Sequence, residues 1–185
     1  ISLKTSHPIA DVRLKAALNR WLPLSIAVFD CEEADIDFHA RYSCTSKEYI
    51  YKIWNTEVRN PFLDGYALYY RYKLDEDMLN SAAQAYVGTH DFTSFCTLDS
   101  REKGDMTRTV KAFSVTREGN LVTMKVEADG FLYNMVRIMV GTLLRIQQGK
   151  IPVDGIAGII EKKDRKFAGP TAQPCGLYLN RVNYD

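Results

Sequence analysis

The stretch 131–148 is apolar nearly all round. Met135, Met139 and Leu143 line up at helical spacing, as do Val136, Val140 and Leu144, and Gly149 follows as a stop. A helix of this kind is buried on most sides, so the rest of the chain must pack around it. Asn134, Arg137, Gly141 and Arg145 share one narrow stripe. An unpaired buried charge costs several kcal/mol, so Arg137 needs an anion or acceptors. Gly141 costs the helix about 1 kcal/mol relative to alanine, which points to a close approach to the backbone at that turn. Arg137 is either presented to a catalytic carboxylate or phosphate, or held in an ion pair inside the domain; periodicity alone does not choose.

Around this helix the pattern is mixed. Positions 10–22 read as a helix stopped by Pro23, and 25–29 and 35–42 read as strand-like. Positions 47–54 alternate cleanly, with Tyr49, Tyr51 and Ile53 on one side and Ile50, Lys52 and Trp54 on the other. A loop follows at Asn60-Pro61 and Asp64-Gly65, then an aromatic-rich strand candidate at 67–73. Positions 75–87 form an amphipathic helix with Asp75 as N-cap. Strands at 110–116 and 121–128 flank Glu118-Gly119-Asn120, a hairpin signal. A shorter helix at 153–163 and a strand at 177–184 close the chain. Strands and helices do not alternate regularly, so we expect an α+β protein: a largely antiparallel mixed sheet with helices packed on one face.

Hydrophobic residues make up 46% and charged residues 25% of the 185, which fits a globular protein and not a disordered tail. No apolar stretch approaches the roughly 20 residues needed to cross a bilayer, and no signal peptide is evident. The four cysteines are far apart, with no metal-ligand spacing, and are expected to be reduced thiols. Net charge is +1, so any nucleic-acid site must be a local patch.

Three segments could meet such a ligand. Tyr49 and Tyr51 lie beside Lys47, where rings could stack on a flipped base or simply fill a sheet core. Phe38, His39, Ala40, Arg41 and Tyr42 mix aromatic, imidazole and guanidinium groups, a combination suited to RNA or to a polar strand end. His39 could be a general base or a hydrogen-bonded structural residue. Arg101, Lys103, Arg108 and Lys111 outnumber Glu102 and Asp105 in a loop that either contacts an RNA backbone or is plain solvated surface.

Fragments in order along the chain then carry a resemblance. They are Leu18-Asn19, Leu22-Pro23, Phe38-His39-Ala40-Arg41, Lys47-Glu48-Tyr49-Ile50-Tyr51, the run from Gly88 to Phe95, and Thr107-Arg108-Thr109-Val110. The run from Phe131 to Arg137, Gly141, Asp164-Arg165, Gly176-Leu177-Tyr178-Leu179, Val182 and Tyr184 complete the set. Together they resemble the tRNA pseudouridine synthase A family. The resemblance implies the pseudouridine synthase fold over residues 1–185, N-terminally truncated and mainly its C-terminal half, with helices on one face and a basic RNA cleft on the other. It implies isomerisation of uridine to pseudouridine in the tRNA anticodon arm, with an aspartate nucleophile and no cofactor or metal. It implies tRNA as partner, a cytoplasmic homodimer, Tyr49 stacking on the target base and assisting proton removal at C5, Arg137 pairing with the catalytic aspartate, and Leu177 packing near the uracil. Residues 38–42 would contact tRNA, as would the loop with Arg101 and Lys103, although Asp99-Ser100-Arg101-Glu102-Lys103 departs from the Cys-Gln-Ser frequent there.

The family's aspartate lies in a Gly-Arg-Thr-Asp-Ala-Gly-Val-His segment, and nothing like it occurs here. None of Asp11, Asp30, Asp35, Asp37, Asp91 or Asp129 has that context. The first residue is Ile, not Met. We therefore expect an N-terminally truncated, inactive polypeptide in which Arg137 lacks its carboxylate. The alternatives are a non-catalytic RNA-binding module using the same cleft, or a structural or oligomerisation domain.

Overall fold

Backbone polar groups in a buried layer must be paired, and strand 46–55 meets that demand on both edges. In the computed structural model, which describes residues 1–6, 8–97 and 104–184, β1 (Ser46–Asn55) is the centre of the sheet. One edge pairs antiparallel with β5 (Leu121–Ala128). The other pairs antiparallel with β6 (Leu177–Asn183) and then parallel with the short β2 (Leu68–Tyr70). Beyond β5 come β4 (Thr107–Glu118) and β3 (Gly88–Asp91), both antiparallel. Among the described residues the result is a mixed, mostly antiparallel six-stranded sheet with four α-helices, an α+β fold consistent with a pseudouridine synthase fold. The chain divides into two compact units, Ile1–Cys44 and Thr45–Asp185.

In the larger unit, alternation sets the core. Tyr51 and Ile53 of β1, Val122, Met124 and Val126 of β5, and Phe113 and Val115 of β4 are buried on one face. Against it lie α2 (Glu76–Ala83), capped by the Asp75 carboxylate accepting from Met78 N–H, and α3 (Met135–Gln147). Nine of the thirteen residues of α3 are buried, as its composition requires. Tyr86 ties the layers together: its ring meets Phe113 and Phe95, and its hydroxyl donates to Met139 O. A last helix, α4 (Gly155–Lys162), packs Ile156, Ile159 and Ile160 inward. No helix among the described residues is long and apolar enough to cross a membrane.

Asn55 joins β1 to its short parallel neighbour. Its Nδ2 donates to Tyr70 O and Tyr72 O, and its Oδ1 accepts from Leu74 N–H and Arg117. The strand expected over 67–73 is only three residues long because side-chain bonds from Asn55 replace the ladder beyond Tyr70.

In the smaller unit, α1 (Asp11–Trp21) forms where expected but buries no residue. The strands expected at 25–29 and 35–42 are absent. The Asn19 side chain takes the place of a partner strand, donating to Val28 O and accepting from Val28 N–H. Residues 35–43 fold into turns closed by Phe38 N–H to Asp35 O and Tyr42 N–H to His39 O. The helix expected from 131 starts at Met135, because Asn134 sits at φ 62°, a left-handed conformation that asparagine tolerates but no helix continues.

Candidate functional site

In an antiparallel pair, opposed residues share a face. Tyr49 opposes Leu179, and Tyr51 opposes Leu177. Tyr49, Tyr51 and Leu177 thus line one side of the β1–β6 ribbon. It is the helix-covered side, whereas the cleft was expected on the opposite face. That face carries Glu48, Ile50, Lys52 and Trp54, with Glu48 paired to Lys125 and Lys52 over the Tyr178 ring. Tyr49 is half-buried and meets Phe131 edge-on at 5.0 Å between ring centroids. Phe131 belongs to the segment that leads into α3, so the same run of sequence brings up Arg137.

Arg137 stands in the first turn of α3, half-buried. Its Nε donates to Ala172 O at 2.7 Å, and its Nη1 donates to Asn134 Oδ1 at 2.9 Å. Asn134 is held in turn by its Nδ2 donating to Thr97 Oγ1. Among the described residues the ion pairs are Arg117–Glu76, Lys125–Glu48 and Lys163–Asp91, and Arg137 is in none of them. An internal ion pair therefore does not account for Arg137 among these residues. A guanidinium has five N–H donors. The two bonds to neutral oxygens leave enough to grip both oxygens of one carboxylate.

The Arg137 partner Ala172 belongs to residues 168–173, a strap laid across α3. Ala172 N–H also donates to Arg137 O. The next carbonyl, Gln173 O, accepts from the Tyr51 hydroxyl at 2.6 Å. Burial pushes the Tyr51 phenol well above its ordinary pKa; the Cys175 thiol adds to this, and the Arg137 charge opposes it. Tyr51 is therefore a neutral donor fastening the strap. The close approach expected at Gly141 is this strap: a Cβ there would lie 1.7 Å from Pro170 O. At Gly176 a Cβ would lie 2.8 Å from the Tyr51 ring. The sequence signals reached Gly141 and Arg137 but not Ala172 or Gln173, because a backbone carbonyl leaves no trace in residue type.

The RNA-facing candidates of residues 38–42 lie in the smaller unit. His39 and Tyr42 rings are 4.5 Å apart, the Arg41 guanidinium is 5.6 Å from the Tyr42 ring, and Tyr42 is 74% exposed. His39 Nδ1 accepts from Arg41 N–H. Phe38 and Ala40 are half-buried beneath them. Arg101 and Lys103 lie outside the described residues. Of the same basic segment, Arg108 donates to Asp105 O and Thr107 O.

A sheet and helices so arranged are consistent with the pseudouridine synthase fold. A family model described as tRNA pseudouridine synthase matches residues 82–185. The chain is 46% identical over all 185 residues to tRNA pseudouridine synthase A of Geobacillus sp. (strain WCH70), covering 74% of that protein. It is 43% identical over 183 residues to tRNA pseudouridine synthase A of Caldicellulosiruptor bescii, covering 99% of this chain and 75% of the relative. It is likewise 43% identical to tRNA pseudouridine synthase A of Geobacillus kaustophilus, covering 100% of this chain and 71% of the relative. The chain belongs to the tRNA pseudouridine synthase A family, and spans about three quarters of the length of these relatives.

Proposed function

We propose that these residues form the base-holding and arginine-bearing part of a site that converts uridine to pseudouridine in the anticodon arm of tRNA. One observation carries the reading: Arg137 is held by two neutral oxygens, one on the strap that also receives the Tyr51 hydroxyl, with no carboxylate partner among the described residues, while Tyr49, Tyr51 and Leu177 share one face of the β1–β6 ribbon. The target base leaves the stack and lies against Tyr49, with Leu177 covering the uracil. An aspartate from outside these 185 residues acts as nucleophile and is oriented by Arg137. The C1′–N1 bond breaks, the uracil turns, and a C5–C1′ bond forms. The C5 proton leaves with help from Tyr49, N1 gains a proton, and the carboxylate is released. No cofactor enters this scheme.

On the same reading, Phe38, His39, Arg41 and Tyr42 contact the tRNA, with Ala40 behind them and Arg101 and Lys103 adding backbone contacts. The enzyme works in the cytoplasm as a homodimer on tRNA. The 185 residues alone are inactive for want of the carboxylate.

The test uses the intact enzyme and an anticodon stem-loop RNA, with pseudouridine measured by chromatography of the digested nucleosides. Tyr49→Ala is expected to lower the rate by about a hundredfold, the range of a lost acid–base group, and Tyr49→Phe to retain stacking but not proton transfer. Undiminished rates in both variants would remove Tyr49 from the chemistry.

A further inference from the structure

Resting on that reading, we propose that Arg165 is a positioning residue for Arg137, acting through the 168–173 strap. Arg165 lies in the 3-10 turn just ahead of the strap. Its Nη1 donates to Ala168 O and its Nη2 to Thr171 Oγ1, both at 3.3 Å. One planar guanidinium thus spans the strap and sets its curvature. The strap is then seated on α3 and β1, with Ala172 N–H donating to Arg137 O. Gly169 N–H donates to the buried Thr142 hydroxyl, which donates to Ile138 O. Pro170 O seats against Gly141. Ala172 O accepts from Arg137 Nε, and Gln173 O accepts from Tyr51.

Arg165 is anchored from below. Neighbouring Asp164 donates its N–H to Ser94 Oγ, a buried hydroxyl that donates to Ile159 O. Its carboxylate accepts from Lys166 N–H. The turn that carries Arg165 is therefore fixed on the domain core, and the strap is fixed on Arg165. Without the guanidinium, Ala168 O and Thr171 Oγ1 lose their common donor, and Ala172 O shifts as the strap adjusts about its remaining bonds at Gly169, Ala172 N–H and Gln173. Such a shift rotates the Arg137 fork away from the orientation that receives a carboxylate. Arg165 touches neither base nor nucleophile.

The test is kinetic, on the intact enzyme with tRNA carrying tritium at uridine C5. Arg165→Met is expected to lower kcat at least tenfold while the Kd for tRNA changes less than twofold. The acid limb of the kcat–pH profile is expected to move to higher pH, because a carboxylate less closely held by a guanidinium takes up a proton more readily. The Tyr51 phenol, whose pKa burial raises, does not titrate on that side. Arg165→Lys is expected to restore little, since one ammonium cannot bridge both acceptors. Thr171→Val, which removes a single acceptor, is expected to show the same shift more weakly and serves where Arg165→Met does not fold. A loss of kcat with an unmoved acid limb, or unchanged kcat, overturns the inference alone. No tritium release by the unsubstituted enzyme overturns the synthase reading and this inference with it.

Discussion

Two glycines show how a single Cβ decides between packing and propensity. Gly141 lies inside α3, where alanine would favour the helix by about 1 kcal/mol. Its missing Cβ is the space that Pro170 O occupies, 1.7 Å away. Gly141→Ala is expected to destabilise the protein by about 2 kcal/mol, the scale of overpacking, and to displace the strap from Arg137. Gly158 lies in α4, exposed, with nothing within 4 Å of its built Cβ. Gly158→Ala is expected to stabilise by about 0.5–1 kcal/mol. Chemical denaturation midpoints of the two variants should move in opposite directions; the same sign in both would contradict the packing argument. Position 141 was readable in advance because a glycine inside a strong helix violates local preference, and such violations concentrate where function or close approach requires them.

Among the elements, the motif from Gly88 to Phe95 ties β3 to α4 and the residues that follow it. Asp91 at the end of β3 accepts from Thr93 N–H and Thr93 Oγ1, and pairs with Lys163 Nζ at 2.9 Å. Burial acts to raise its pKa, but the bonds from Thr93 and Lys163 prevail and hold it below the ordinary carboxylate value. A pKa lower in the folded than in the unfolded chain gives stability that is complete above the unfolded value and is lost as pH falls through the folded one. The melting temperature of the unsubstituted protein should therefore drop more steeply between about pH 5 and pH 3 than that of Asp91→Asn, the window set by ordinary carboxylates. Parallel curves would show that the pair contributes nothing. This linkage was not legible in the sequence, since Lys163 lies far along the chain. Regular alternation and turn residues were: β1, the β4–β5 hairpin around Gly119 and the Asp75 cap follow the pattern read from residues. Residues 25–29 and 35–42 did not, because alternation describes a strand only where a neighbour exists to pair with it. At 25–29 the Asn19 side chain took that place.

Across the molecule, the buried layer lies in Thr45–Asp185, while in Ile1–Cys44 α1 buries nothing and Trp21 and Phe29 are 86% and 91% exposed. The fold class was legible in the sequence, which also singled out Tyr49, Arg137 and Leu177 as candidates. The strap of backbone carbonyls that receives Arg137 and Tyr51 was not legible there. What this arrangement lacks, among the described residues, is an acid for Arg137 to face. The most direct measurement is tritium release from tRNA labelled at uridine C5, comparing the 185-residue chain with the intact enzyme under the same conditions. The account predicts release by the intact enzyme and none by the 185 residues alone; sustained release by the 185 residues would contradict it.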